Sequence, residues 1–201
     1  MMGVRPGTTE HLRVEVRVAV NDASDETVSD YKRRILRYQD GSDPLLLQAK
    51  APDVLEALVK GLSEEHLGQR PAPGKWCIRE IAAHLADDEL VGAYRIRLIL
   101  SAPGTAIQAF DQDVWARTGK YETRDIAHSL LLYRALRLAN LKLLQSLTGE
   151  EWDMFGVHAE RGVESLRDLA MYFAGHDINH FQQIESIRRQ LDNATLASSR
   201  S

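Results

Sequence analysis

Cysteine is nearly absent from this sequence of 201 residues, because Cys77 is the only one. A single thiol can form neither an intrachain disulfide nor a zinc site built from several cysteines. Any metal site must therefore use mainly nitrogen and oxygen ligands. The chain offers seven histidines for that purpose.

Long apolar runs and long basic runs are also missing. Charged residues interrupt each apolar stretch well before the roughly 20 residues that a membrane span needs, and the N-terminus lacks an apolar signal core. The 25 lysines and arginines are outnumbered by 29 aspartates and glutamates, which argues against a surface for nucleic acid. We therefore expect a globular cytoplasmic protein with neither a membrane nor a nucleic acid as its partner.

The only strong strand pattern lies near the N-terminus. Apolar and charged residues alternate between residues 12 and 20, which is typical of a half-buried strand. A lone strand must pair with another chain or with a short local segment, or else remain a loose arm. We assign residues 1–30 to an N-terminal extension, in which residues 21–30 form a polar linker.

Helical periodicity dominates the rest of the chain. Apolar residues at steps of three and four predict four long helices at about residues 44–62, 77–101, 123–147 and 165–191. The connection at residues 102–122 is long, and such connections usually carry function or cover a site. Four long helices with one long crossover predict an all-α four-helix bundle over residues 31–191. We expect the third helix to be largely buried and the polar tail at residues 192–201 to fray.

Two histidines, His176 and His180, lie on the core-facing side of the predicted fourth helix. They share a stripe with four apolar residues, Leu169, Phe173, Ile184 and Ile187. A buried imidazole needs a partner, and a spacing of four residues lets both rings bind one ion. The spacing by itself leaves hydrogen bonds to protein groups as the commoner explanation.

The predicted second helix adds His84, with Asp88 one turn further along the same face. Three histidines from two facing helices can fill three corners of a tetrahedron and leave the fourth for water or substrate. Asp88 is a candidate to orient a ligand imidazole through its second nitrogen. His158 lies just before the fourth helix and is a candidate to border the open position. Asp177 points to another side, and we expect it to be solvated.

Other catalytic patterns are missing from the sequence. Glu-x-x-His pairs of a ferritin-like di-iron site and the HExxH motif of zincin proteases are both absent. Residues 68–75 lack the spacing and the serine or threonine of a phosphate loop. We interpret Cys77 as a helix cap, paired with Glu80 in a capping box, rather than as a nucleophile.

Three stretches of the chain together resemble the DinB-like (YfiT-like) superfamily of metal-dependent enzymes: RPAPGKWCIREIAAHLADDE, IQAFDQDVWA and HAERGVESLRDLAMYFAGHDINHFQQIE. The resemblance covers about residues 30–191. It implies a four-helix bundle, commonly dimeric, with one divalent ion, zinc or nickel, held by His84, His176 and His180. The chain departs from the family pattern at Cys77, where serine is usual, and at residues 12–20, which lie outside it.

The resemblance also implies a function. It points to a metal-dependent enzyme that activates water or a low-molecular-weight thiol, as a hydrolase or a thiol-dependent transferase of small molecules. A non-catalytic metal-binding or stress-related bundle is the alternative. For the enzyme, we expect a pocket between the connection around Phe110 to Trp115 and the segment of His158. We also expect a homodimer, because the predicted helices are apolar over wide faces.

Overall fold

A computed structural model of the chain describes residues 26–38 and 41–198. The strand predicted at residues 12–20 lies outside these ranges. Within them the chain forms eight α-helices: α1 (Val28–Arg37), α2 (Pro44–Val59), α3 (Glu64–Gly68), α4 (Ile78–Ser101), α5 (Gln112–Thr118), α6 (Ile126–Leu144), α7 (Gly149–Trp152) and α8 (Leu166–Ser198). None of these helices is both long and apolar enough to cross a membrane.

The four long helices α2, α4, α6 and α8 form the predicted four-helix bundle. Helix α4 packs on α6, α6 on α2, α2 on α8, and α8 on α4, so the four close a ring around one core. Each helix begins at a residue that can cap it. Glu80 accepts a hydrogen bond from the backbone N–H of Cys77 at 2.9 Å, and Ser165 accepts one from that of Asp168 at 3.1 Å.

The core has two apolar clusters with polar side chains between them. On α4, one cluster includes Ile81 and Leu85, and the other includes Ile96 and Ile99. Buried polar and charged residues occupy the middle of α4 and α8: His84, Asp88, Glu89, His176, Asp177 and His180. Burying so many polar groups is costly unless each one has a partner. The middle of the bundle is therefore the region where a functional site is expected.

Helix α1 was not predicted and begins inside the segment that we assigned to a linker. Thr27 caps it by accepting a hydrogen bond from the backbone N–H of Asp30 at 3.1 Å. The helix packs on α8, where Ile35 is fully buried and Arg34 donates to Asn179 at 2.6 Å. Val28, Tyr31 and Ile35 lie at helical spacings, but the helix has only ten residues and Ile35 alone is fully buried, so its signal in the sequence is short.

A small sheet was also not predicted from the sequence. Strand β1 (Ala106–Ile107) pairs in parallel with β2 (Phe155–His158), which pairs antiparallel with β3 (Gly162–Ser165). Gly162 adopts a φ of 76°, which permits the tight turn before β3. Strands of two to four residues are too short to show an alternating pattern. The sheet holds the connection after α4 against the segment that carries His158.

Three further expectations need correction. The connection at residues 102–122, for which no regular element was predicted, contains β1 and α5, and Asp111 caps α5. Helix α6 is not largely buried, because it forms an outer wall of the bundle and leaves Leu131 66% and Leu138 54% exposed. Helix α8 does not end near Leu191 but continues to Ser198, since no glycine or proline interrupts the polar tail before that point.

Candidate metal centre

The packing of α4 against α8 brings together the three histidines that the sequence singled out. His84 on α4 and His176 and His180 on α8 are all buried. The Nε2 atom of His176 lies 3.3 Å from Nε2 of His84 and 3.1 Å from Nε2 of His180. One ligand atom from each ring lies within 4.8 Å of the others. Among the residues that the structure describes, no fourth histidine, cysteine, aspartate or glutamate joins this group.

The donor set fits a divalent ion. His180 Nδ1 lies 2.9 Å from Gln183 Oε1, so the ring's proton is on Nδ1 and the lone pair of Nε2 points at His176. A tetrahedral zinc ion with bonds of about 2.0–2.1 Å keeps its nitrogen ligands about 3.3–3.4 Å apart, close to the spacing observed. Lone pairs that converge at this distance repel one another unless a proton or a cation lies between them.

The histidines are held neutral by their surroundings. Burial lowers the pKa of His84 and His176 well below the usual value, and neighbouring imidazoles add to the effect. Burial likewise lowers the pKa of His180 to about 4. Neutral imidazole is the form that binds a metal ion, so the site is ready to bind a cation at pH 7 without first losing protons.

Asp88 lies on the outer side of the cluster. Its Oδ2 atom is 3.4 Å from Nδ1 of His176, at the nitrogen that faces away from the other two rings. Burial raises the pKa of Asp88 to about 6. Nδ1 of His176 has no hydrogen-bond partner among the described residues, so Asp88 acts on this ring through its charge at 3.4 Å rather than through a hydrogen bond.

Aromatic rings enclose the cluster on two sides. Trp76 lies 4.9 Å from His84 and stacks on His180 at 6.5 Å, measured between ring centroids. Tyr172 stacks on His176 with a centroid separation of 5.9 Å. These contacts restrict rotation of the imidazoles and keep bulk water from most of their surface.

A cavity of about 90 Å³ opens beside the three histidines. Its walls come from α1, from the segment around Phe110, from the loop after His158 and from the polar middle of α4 and α8. The cavity therefore lies between the two segments that the sequence analysis named. Its charged and polar lining residues include Arg34, Asp88, Arg95, His158, Glu160, Arg161 and Tyr172.

The arginines of the cavity were missed by the sequence analysis. Arg95 follows His84 by 11 residues, about three helical turns, so both lie on one face of α4. Arg161 forms two hydrogen bonds to Glu164, at 2.7 and 2.8 Å, and lies over the ring of Tyr172. The sequence did offer a signal for Arg95, because it is a charged residue on a helix face that otherwise points to the core.

Three other residues, Asp177, His128 and Cys77, lie away from the cluster. Asp177 points to another side of α8, as expected, but it is buried rather than solvated because Arg137 neutralises it. The side chain of His128 is 82% exposed and faces solvent. Cys77 is buried at the start of α4, and burial raises the pKa of its thiol, which does not favour a nucleophile.

Comparison with known proteins identifies the family. The model of the DinB superfamily matches residues 49–184. A protein of Bacillus licheniformis is 30% identical over 71% of this chain and 81% of its own length, and one of Geobacillus thermodenitrificans is 27% identical over 77% and 87%. Both carry the name "Putative metal-dependent hydrolase".

A solved structure shows the same fold. YfiT from Bacillus subtilis, described as "a probable metal-dependent hydrolase with an unusual four-helix bundle topology", superposes with a TM-score of 0.69. The match has 20% identity and covers 85% of this chain and 93% of YfiT. Together with the match of the family model over most of the bundle, this shows that the chain belongs to the DinB superfamily.

Proposed function

We propose that this protein is a metal-dependent enzyme that holds one divalent ion, zinc or nickel, on His84, His176 and His180. The observation that carries the proposal is the convergence of three neutral, buried imidazoles, with Nε2 separations of 3.1 and 3.3 Å, at the wall of a cavity. An ion held by three neutral ligands keeps its full charge and supplies Lewis acidity, which favours ionisation of water or of a thiol.

The protein's own residues prepare this site. Gln183 accepts a hydrogen bond from Nδ1 of His180, and Asp88 places a carboxylate 3.4 Å from Nδ1 of His176, so both rings turn Nε2 toward the centre. Trp76 and Tyr172 limit the motion of the rings. Residues after α4 and around His158 shape the cavity and restrict the substrate to a small molecule.

Two reactions use the same ligands. Hydrolysis of a small molecule is favoured by the names of the relatives. Transfer of a low-molecular-weight thiol to an electrophile is the second reaction. The shape and lining of the cavity determine which of the two substrates can bind. A metal-binding bundle without chemistry is the alternative, but the three-histidine group faces a cavity and includes no fourth ligand from the described part of the chain.

Metal analysis tests the proposal first. Purified protein should contain, or take up, one equivalent of zinc or nickel per chain, as measured by mass spectrometry of the metal and by calorimetry. Replacing both His176 and His180 by alanine should abolish this binding, whereas His128→Ala should leave it unchanged. Unaltered stoichiometry in the double variant would contradict the ligand assignment. A screen of the metal-loaded protein with esters, amides, and thiols plus electrophiles then separates hydrolase from transferase.

We also propose that the protein is a homodimer. Helices α4 and α6 lie side by side and expose large apolar side chains to solvent: Leu90, Tyr94, Leu131 and Leu138. Exposed apolar side chains on adjacent helices are typical of a surface that is covered in the assembled protein. Light scattering at micromolar concentration should give twice the chain mass of 22.6 kDa, and a value near 22.6 kDa would exclude the dimer.

A further inference from the structure

Arg95 of α4 and His158 of β2 meet in the wall of the cavity. Neither residue lies on α8 or belongs to the three-histidine cluster. The Nη2 atom of Arg95 lies 3.3 Å from Nε2 of His158. Both residues are buried, and both line the same cavity as the three histidines. The meaning of this contact depends on where the imidazole of His158 carries its proton.

Two backbone groups determine that proton position. Nδ1 of His158 accepts hydrogen bonds from the backbone N–H groups of Glu160, at 3.2 Å, and Arg161, at 3.3 Å. A nitrogen that accepts cannot carry a proton, so the proton of the neutral ring is on Nε2. Burial, together with Arg161 and Arg95, lowers the pKa of His158 to about 4, so the ring is neutral at pH 7.

The contact therefore joins two donors. Arginine has five N–H donors and no acceptor, and Nε2 of His158 donates as well. Two donors at 3.3 Å cannot satisfy each other. Both are satisfied at once if an acceptor oxygen occupies the space in front of them.

The guanidinium of Arg95 also has no direct ion pair, although the charges of Asp88 and Glu164 act on it from a greater distance. The residue is only 4% exposed, yet no carboxylate of the described residues lies within 4.0 Å of its guanidinium, including Asp88 and Glu160 in the same cavity. Its other hydrogen bond goes to the carbonyl oxygen of Gln108 at 3.1 Å. Arg161, by contrast, is neutralised by Glu164. A buried cation that has no carboxylate in contact is stabilised when a ligand supplies a negative charge at hydrogen-bond distance.

We propose that Arg95 and His158 form a subsite for an oxyanion, the carboxylate or phosphate group of the small-molecule substrate. One oxygen accepts from Nη2 of Arg95 and from Nε2 of His158, and the guanidinium fork is free to bind a second oxygen. Anion binding follows from these two residues alone. The identification of the anion as part of a substrate rests on the function proposed above, because the subsite shares its cavity with the candidate metal ligands.

The proton position can be measured in the unaltered protein. Nitrogen-15 NMR of the histidine side chains at pH 7 should show His158 protonated on Nε2 and not on Nδ1. If the proton is on Nδ1 instead, Nε2 accepts from Arg95, the contact is an ordinary hydrogen bond, and the proposal is overturned.

Titration with simple anions tests the binding. At constant ionic strength, sodium acetate or inorganic phosphate should shift the Nε2 resonance of His158 in a saturable way, whereas chloride should not. Saturation by acetate alone identifies a carboxylate site, and saturation by phosphate alone identifies a phosphate site. An equal response to chloride, or no response to either oxyanion, would overturn the proposal.

Variants assign the binding to Arg95. Arg95→Gln should weaken binding of the oxyanion at least tenfold, the effect expected for loss of a charged hydrogen bond, and Arg95→Lys should recover part of it. Arg97→Gln is the matched control, because Arg97 is an exposed arginine of the same helix outside the cavity, and it should change affinity less than twofold. Equal affinities for Arg95→Gln and Arg97→Gln would contradict the assignment.

Performing the titration on metal-free and metal-loaded protein separates the two proposals. Oxyanion binding without any metal uptake supports the subsite and removes the proposed metal enzyme. Metal uptake on the three histidines without oxyanion binding leaves the proposed function in place and removes the subsite.

Discussion

The guanidinium of Arg137 donates two hydrogen bonds to the carboxylate of Asp177, at 2.7 and 3.1 Å. Asp177 is the residue after the metal-ligand candidate His176. Arg137 also pairs with Glu89 of α4 at 2.7 Å, so one buried cation joins α4, α6 and α8 at mid-bundle. The contact thus ties the residue next to His176 to both α4 and α6.

Removing Arg137 should therefore destabilise the fold strongly. Arg137 is 1% exposed, and Arg137→Leu leaves two buried carboxylates, Asp177 and Glu89, without the cation that neutralises them. For Arg137→Leu we expect the free energy of unfolding to fall by about 3–5 kcal/mol, as measured by urea denaturation at pH 7. Arg134→Leu is the control, since Arg134 pairs with Asp53 and Glu56 at the surface of the same helix and should cost about 1 kcal/mol or less. Equal losses in the two variants would refute the structural role of Arg137.

Asp88 should tune metal affinity without being a ligand. Asp88→Asn keeps the size of the side chain but removes the charge next to Nδ1 of His176. We expect affinity for zinc to fall roughly 10–100-fold while the stoichiometry stays the same. Asp87→Asn is the control, because Asp87 pairs with Arg124 and Tyr121 instead. Calorimetric titration of both variants measures the affinity and the stoichiometry. Complete loss of metal binding in Asp88→Asn would indicate that Asp88 is itself a ligand.

Gly175 should be required for docking of α1. A Cβ atom at this position would overlap the backbone carbonyl of Ile35, which cannot move away as a side chain can. We expect Gly175→Ala to lower the free energy of unfolding by about 1–3 kcal/mol. Gly68→Ala meets no atom within 4 Å and should be neutral or slightly stabilising, which urea denaturation of both variants would show.

Cys77 should react slowly with alkylating agents. The thiolate is the reactive form, and burial both raises the pKa of the thiol and blocks access to it. Iodoacetamide at pH 8 should label the folded protein at least about tenfold more slowly than the unfolded chain. We expect Cys77→Ser to keep metal binding and the helix cap, because serine also caps α4. Rapid labelling of the folded protein would reopen a nucleophilic role.

The predictions that the structure confirms come from local patterns in the sequence. The four long helices follow from apolar residues at steps of three and four, and the last of them begins directly after Ser165, where Ser165 and Asp168 cap α8. The spacing of His176 and His180 places both rings on the buried face of α8 for the same reason. Helical periodicity depends on near neighbours in the chain, so it can be read without the fold. The link between these two residues and His84 came from the family resemblance.

The tertiary structure decided what depends on residues far apart in sequence. Helix α1 is stabilised by its contact with α8, the small sheet joins segments about 50 residues apart, and Asp177 is buried because Arg137 reaches it from α6. The facing donors of Arg95 and His158 likewise arise only when β2 packs beside α4. Such contacts leave no periodic trace in the chain, because their free energy comes from three-dimensional packing and from burial of charge.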